Sequence, residues 1–260
     1  GQQGTDQKVV FYRSLVDALD SGWMGDRDSL PEQPEPRLWS AVAADRFTCT
    51  VKACPQFQTC SYYQARRALA RVDVIVANHD LVLASIGART LPELNNCLVA
   101  FDEGHNLPKT AIEQFASKMD LSRLRWLDKL PKAVTAIAME IGHPLSVEID
   151  KLCRELKAAL SDVGSMLWEN FSFQMRSSDG VVRFGKGQIP ELLAEPLAYI
   201  RGHGTQLHDE VHAILMALRE KIKEEPELNA KWSKLFSTLG GYVPRVDSVH
   251  TTSTLLATEG

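Results

Sequence analysis

The sequence predicts an α+β fold that is predominantly α-helical. Three observations lead there. Two short apolar runs, Val72-Asp73-Val74-Ile75-Val76-Ala77 and Cys97-Leu98-Val99-Ala100-Phe101, have the β-branched character of strands covered on both faces in a parallel sheet. From Leu107 onward the apolar residues recur at helical spacing. Between an N-terminal helix and the first apolar run lies a segment, 47–61, with no clear period.

Taken in order, residues 5–21 read as a helix, with Val9, Val10, Leu15, Val16 and Leu19 near helical spacing and Ser21-Gly22 ending the run. Residues 22–37 are rich in Gly, Asp and Pro and form a loop. A short helix is expected over 38–44, then the irregular cysteine segment, then a basic helix over 62–71. The two apolar runs are expected as strands, with a helix from His79 to Ile86 and a loop at 87–96 between them. Helices follow over 107–117, 121–141, 145–172, 188–223 and 226–240, interrupted by a turn at Ser177-Ser178-Asp179-Gly180. In the helical region Met139, Leu152, Leu156, Leu160 and Leu167 are expected in the core. There is no internal repeat.

Hydrophobic residues make up 44% of the chain and charged residues 24%, ordinary values for a protein that buries a core. A net charge of −4 excludes a globally basic nucleic-acid binder, so any such surface must be a local patch. No apolar run approaches the length of a membrane span, and Gly1-Gln2-Gln3-Gly4-Thr5 lacks the basic start and apolar stretch of a signal peptide. A cytoplasmic, monomeric protein without membrane attachment is expected, and the missing initiator Met implies a chain cut from something longer.

The strongest local signal is Val99-Ala100-Phe101-Asp102-Glu103-Gly104-His105, an apolar run ending in two adjacent carboxylates. In open α/β sheets ligands sit at the carboxyl ends of strands. A carboxylate there can hold Mg²⁺ beside a nucleotide's β- and γ-phosphates through the metal's waters, and a second can orient and deprotonate the attacking water. Asp102 is the candidate for Mg²⁺, Glu103 for the water, and His105 for sensing the γ-phosphate or coupling to a neighbouring domain. The competing reading of Asp-Glu alone is a solvated turn.

Of the five cysteines, Cys49, Cys54 and Cys60 fall at x₄ and x₅ spacing, close enough for their thiolates to reach one metal centre. An odd count without a secretion signal argues against a disulfide framework. Zinc prefers Cys-x₂₋₄-Cys pairs with a fourth Cys or His, so the trio suits a [4Fe–4S] cluster with one further ligand better. Directly after it come Tyr62, Tyr63, Arg66, Arg67 and Arg71. Arg66 and Arg67, with Lys52, can contact phosphates, and Tyr62 or Tyr63 can stack on an unpaired base. A solvated helix face with the tyrosines packed inward is the alternative. Arg123, Arg125, Lys129 and Lys132 fit a solvated face better than a DNA surface.

The acidic segment resembles the DEAH box of superfamily 2 helicases, with Gly104 in place of the usual Ala. Val76-Ala77-Asn78-His79-Asp80-Leu81 resembles the Ala-Asn-His-x-Leu segment of the DinG/XPD family, and the cysteine spacing with its following helix is similar to that family's iron–sulfur domain. The resemblance is specific over residues 45–108 and positional elsewhere. It implies a partial parallel α/β motor domain with an irregular Fe–S domain and a large helical arch insertion. The implied boundaries are 1–70 for the cluster domain, 71–107 for part of motor domain 1, 108–250 for the arch and 251–260 for a tail. It implies an ATP-dependent DNA helicase, a hydrolase that binds ATP and Mg²⁺ and moves 5′-to-3′ on single-stranded or branched DNA in repair or replication. In that family a fourth cysteine lies upstream of the three, and none precedes Cys49 in this sequence; Cys97 and Cys153 do not match it.

A phosphate-cradling Gly-x₄-Gly-Lys-Ser/Thr loop does not precede Asp102. Gly180-Val181-Val182-Arg183-Phe184-Gly185-Lys186-Gly187 comes close, but it ends in Gly where a hydroxyl is needed and follows the acidic box, so it reads as a turn. Ser253-Thr254-Leu255 is not the Ser-Ala-Thr motif of a second motor domain. The 260-residue chain alone is therefore expected not to hydrolyse ATP. Two other readings stay open at this point: a non-enzymatic zinc- or Fe–S-bearing DNA-binding or interaction module, and an α/β hydrolytic enzyme using Asp102 and His105, which lacks a Gly-x-Ser-x-Gly nucleophile motif.

Overall fold

A computed structural model describes residues 2–88, 90–93, 97–177 and 180–257, and among these no residue is in a β-strand. The expected loop at 87–96 and the turn at 177–180 lie partly outside the described residues. The chain forms two units. One comprises residues 1–46 and 54–116; the other comprises 47–53 and 117–260.

The first unit begins with α1, Gln2–Asp20, which buries Leu15 but leaves Val9, Val10, Val16 and Leu19 exposed. The loop after it is pinned by the Trp23 indole N–H, which donates to the carbonyl of Asp26 at 2.8 Å, and by an edge contact between Trp23 and Trp39. Gly25, at φ +83°, needs to be glycine twice over: a Cβ there would lie 2.5 Å from the Ser61 side chain. The short helix expected over 38–44 is α2, Pro36–Trp39; Pro36 at its start fixes φ and needs no N–H partner, which moves the helix earlier than its apolar residues suggest. The basic helix is α3, Ser61–Leu69. Then come α4, His79–Ala88, and α5, Leu107–Phe115, packed against one another.

Neither expected strand is paired here. Residues 72–77 and 98–101 carry no regular secondary structure and no ladder, and Val76 and Leu98 are 95% and 97% exposed. Cys97, expected inside a strand, is exposed. The reason is that a strand is stabilised only by a neighbour that takes its N–H and C=O groups. These two runs do not supply that to one another.

The second unit is a helical bundle around α8, Glu191–Glu224, which packs on α6 (Trp126–Ile141), α7 (Ile149–Ser177), α9 (Asn229–Gly240) and α10 (Val243–Ala257). Leu130, Val134, Leu156, Leu160, Ile200, Leu207, Val211, Ile214, Leu218 and Leu239 are wholly buried. Each such side chain contributes about 1.5–3 kcal/mol relative to exposure, so the bundle dominates the stability of this unit. Leu152, Leu156 and Leu160 lie in the core as expected, and Leu167 packs against it. Met139 does not: it is 78% exposed, because α6 turns Leu130, Val134, Ile137 and Ala138 inward and places Met139 on the opposite face. α6 ends at Gly142, φ +69°, with the N–H of His143 donating to Ala138 and that of Gly142 to Met139, the paired bonds that close a helix C-terminus.

Polar groups tie the bundle's connections. Asp120 accepts the Ser122 N–H and hydroxyl and the Arg123 N–H ahead of α6, and these bonds, the Ser122 N–H above all, hold its carboxyl below the usual range. Buried Glu210 accepts the Ser146 N–H and hydroxyl before α7. Lys221 pairs with Glu225, raising the amine's pKa and lowering the carboxyl's, and Glu225 also accepts the Trp232 indole N–H, joining α8 to α9. Segment 47–53 packs onto this unit. The backbone of Phe47 runs so close to α9 that a Cβ on Gly240 would sit 2.2 Å from the Phe47 carbonyl oxygen, and Asn229 donates to the carbonyl of Ala53. α10 carries the bundle through residues 251–257, with Thr252 and Ser253 buried.

Candidate active site

The acidic box sits at the mouth of the α4–α5 pair. Asn78 precedes α4 and its side-chain oxygen accepts the Leu81 N–H at 2.8 Å, an N-cap that fixes where the helix starts. That places His79 in the first turn, with Nε2 3.0 Å from the carbonyl oxygen of Asp102 and its ring 5.9 Å from that of Phe101. A carbonyl can only accept, so Nε2 carries the proton. The two segments that are 23 residues apart in sequence thus meet through one hydrogen bond.

Asp102 Oδ1 accepts the Glu103 N–H at 2.9 Å. Glu103 itself adopts φ 50°, ψ 39°, the left-handed region, which costs a residue with a Cβ about 1–2 kcal/mol. The turn it makes lets its carbonyl accept the Asn106 N–H at 2.9 Å and starts a 3₁₀ turn, Gly104–Asn106, that runs straight into α5. It also brings Glu103 Oε2 to 3.2 Å from His105 Nδ1; with both side chains about two-thirds exposed or more, this pair adds little stability. Asp102, Glu103 and His105 therefore share one exposed turn whose backbone is held by His79.

The three clustered cysteines are half-buried and stand outside any disulfide. Cys49 belongs to the second unit, in the 47–53 segment, while Cys54 and Cys60 belong to the first. Val51 beside Cys49 holds φ 53°, a strained value for a β-branched residue, and its N–H points at Cys49 Sγ, 3.4 Å away. Cys153, by contrast, is buried in α7, and desolvation pushes its thiol up to about 12. It is no candidate for a thiolate ligand.

On α3 the aromatic and basic residues form one local network. Phe57 and Tyr63 rings lie 4.6 Å apart, Tyr62 meets Tyr63 edge-on, and the Arg66 and Arg67 guanidiniums lie over Tyr62 and Phe57. Arg67 also donates to the Gln58 carbonyl and side chain, so it braces the turn after Cys54. Lys52 is exposed in the second unit. Arg123, Arg125, Lys129 and Lys132 are exposed on the bundle surface. The stretch 180–187 is a connection between α7 and α8 with no strand before it.

Sequence reasoning missed two features. His79 was visible only as part of a motif; its bond to the acidic box is a tertiary contact. His208, His212 and Asp247 were not singled out, although His-x₃-His within a helical pattern was the signal available.

Comparison with known proteins defines the class. Residues 42–124 match the DEAD_2 family model, spanning the cysteine loop, α3, α4 and the acidic box. Along more of its length the chain is similar to the ATP-dependent DNA helicase DinG of Photobacterium profundum, 28% identical over 95% of this chain and 36% of that protein. It is likewise 28% identical to the DinG helicases of Escherichia coli K12 and Shigella flexneri, over 66% of this chain and 25% of each. The chain is DinG/XPD-like, and it spans about a third or less of the curated relatives it matches.

Proposed function

We propose that this chain is the acidic-box, cysteine-loop and helical-insertion part of an ATP-dependent DNA helicase that moves 5′-to-3′ on single-stranded or branched DNA in repair or replication. The observation that carries the reading is the His79–Asp102 bond, which joins the two family-like motifs at one turn inside the DEAD_2 match. Asp102 Oδ2, with Oδ1 engaged by the backbone, is the oxygen to face a hydrated Mg²⁺ beside ATP. Glu103 orients the attacking water and accepts its proton; His105, already paired with Glu103, transmits the presence of the γ-phosphate.

The exposed apolar runs 72–77 and 98–101 are, on this reading, strands of a parallel motor sheet whose partner strands and phosphate loop lie elsewhere in the protein. Cys49, Cys54 and Cys60 are three ligands of a [4Fe–4S] cluster, which when bound would cross-link the loop. Arg66, Arg67, Tyr62, Tyr63 and Lys52 lie along the single-strand path, and the helical bundle is the arch. The protein works as a cytoplasmic monomer. In the described residues no helix is long and apolar enough to cross a membrane.

The test is Glu103→Gln in the full-length protein, with DNA-stimulated ATP hydrolysis and single-strand binding both measured. Losing a general base costs about 10²–10⁴-fold, so hydrolysis should fall by that much while DNA binding persists. Hydrolysis at the unaltered rate would refute the assignment.

A further inference from the structure

We propose that the helical bundle carries a divalent transition-metal site formed by His208, His212 and Asp247. The inference stands apart from the helicase reading: these residues lie on α8 and α10, in the second unit, away from the acidic box in sequence.

The geometry is that of a site already assembled. His208 and His212 are one helical turn apart on α8, so their rings leave the same face. Opposite them, Asp247 on α10 places Oδ1 2.9 Å from His212 Nε2 and 3.8 Å from His208 Nε2. In a tetrahedral site with metal–ligand distances of about 2.0–2.1 Å, neighbouring donor atoms are about 3.3 Å apart. The two observed distances bracket that value. All three ligand atoms lie within 4.8 Å of one another, and this is the one such group of three among the described residues.

The surroundings favour the metal-binding form. His208 Nδ1 lies 3.0 Å from Asp209 Oδ1, so the Nδ1–H donates to the outer carboxylate and Nε2 keeps its lone pair toward the centre. This is the outer-sphere arrangement that fixes a ligating imidazole. Neutral imidazoles with two nearby carboxylates give a site of net negative charge, which attracts a cation. The rings of His208 and His212 lie 4.2 Å apart, side by side on the α10-facing side of α8. On its other face His208 stacks on His250 at 4.2 Å, and Thr205 holds His250 through Nδ1 at 3.1 Å, fixing the His208 ring plane. α8 and α10 can approach this closely because Gly204 is where they cross: a Cβ there would press on Val249 at 3.2 Å.

Nitrogen and carboxylate donors, without sulfur, suit Zn²⁺, Co²⁺ or Ni²⁺ rather than Ca²⁺ or Mg²⁺. The three side chains are partly open to solvent, so water completes the coordination. The bound ion would clamp α10 to α8.

The experiment is Co²⁺ titration of the purified, metal-stripped chain carrying Cys49→Ser, Cys54→Ser and Cys60→Ser, followed by visible absorption. Ligand-field bands of four-coordinate Co²⁺ are expected without the near-ultraviolet thiolate band that cysteine binding would give. They should vanish in His212→Gln and Asp247→Asn, and in Asp209→Asn binding should weaken by about 10- to 100-fold. Circular dichroism of each variant checks that the helices persist. As a second measurement, Zn²⁺ should raise the unfolding midpoint of a Cys49→Ser, Cys54→Ser, Cys60→Ser chain, and His208→Gln should abolish the rise. Absence of the Co²⁺ bands in the triple-serine chain with His208, His212 and Asp247 intact, or bands and a midpoint shift that survive the histidine substitutions, would overturn the proposal.

Discussion

His79 Nε2 donates to the carbonyl oxygen of Asp102 across 3.0 Å, and through that bond the first turn of α4 sets the backbone of the acidic box. His79 touches neither carboxylate side chain of the box in this arrangement; it acts on the turn that presents them. Removing it therefore alters placement rather than chemistry. A hydrogen bond of this kind is worth about 1 kcal/mol net, which corresponds to about a fivefold change in rate. On the proposed helicase reading, His79→Ala in the full-length protein should lower kcat for ATP hydrolysis by about that factor and leave the affinity for single-stranded DNA unchanged. A side chain that keeps an N–H donor, as in His79→Gln, should recover part of the loss. Equal rates in all three proteins would show that the bond is incidental.

Gly240 marks where segment 47–53 meets the bundle. With only 2.2 Å between a would-be Cβ and the Phe47 carbonyl oxygen, Gly240→Ala forces the segment to lift or α9 to shift. Overpacking of this sort costs about 1–3 kcal/mol. The urea midpoint should fall accordingly, and amide exchange should quicken over 47–53 more than elsewhere in the second unit. If the midpoint is unchanged and exchange stays slow, the close approach does not hold the segment.

The helical part of this fold was legible from the sequence because it is built on repetition. Leu152, Leu156 and Leu160 repeat at four-residue spacing, and burial follows the repeat. Met139 departed from it because hydrophobicity names a residue's preference and not its face; only the phase set by Leu130, Val134 and Ile137 puts it outside. That Asp102, Glu103 and His105 lie close together was legible for another reason: they fall within one short turn of the chain. His79 with Asp102, and His208 with Asp247, were not legible, since each pair joins distant segments through tertiary packing. The apolar runs 72–77 and 98–101 read as strands from composition alone, but pairing is a property of two segments, and neither run finds its partner here.

Cys153 gives a pH dependence with a definite sign. Its thiol rises from 9.0 to about 12 in the folded protein because burial in α7 disfavours the thiolate. Between those values the unfolded chain loses the proton and the folded chain keeps it. The stabilisation is thus fully present below pH 9 and is lost progressively as the pH climbs toward 12. Cys153→Ala removes the titrating group, so its stability should decline less steeply over this range than that of the unsubstituted protein, whatever its starting value. In the folded protein at neutral pH, a thiol reagent should modify exposed Cys97 and spare Cys153. Parallel pH profiles for the two proteins, or rapid labelling of Cys153, would contradict the burial argument.

The cysteine loop yields the last prediction. Cys49, Cys54 and Cys60 are accessible enough to ligate, and their own chemistry distinguishes a cluster from zinc. Full-length protein purified without oxygen should contain iron and inorganic sulfide and absorb in the visible. Cys49→Ser, Cys54→Ser and Cys60→Ser should each lose that absorption, whereas Cys97→Ser and Cys153→Ala should keep it. Zinc in stoichiometric amount, released on any of the three serine substitutions, would instead assign the loop to a structural zinc site and weaken the helicase reading at its most distinctive point. If the absorption survives in Cys49→Ser alone, the residue placed with the helical bundle is not a ligand, and the centre belongs to the first unit only.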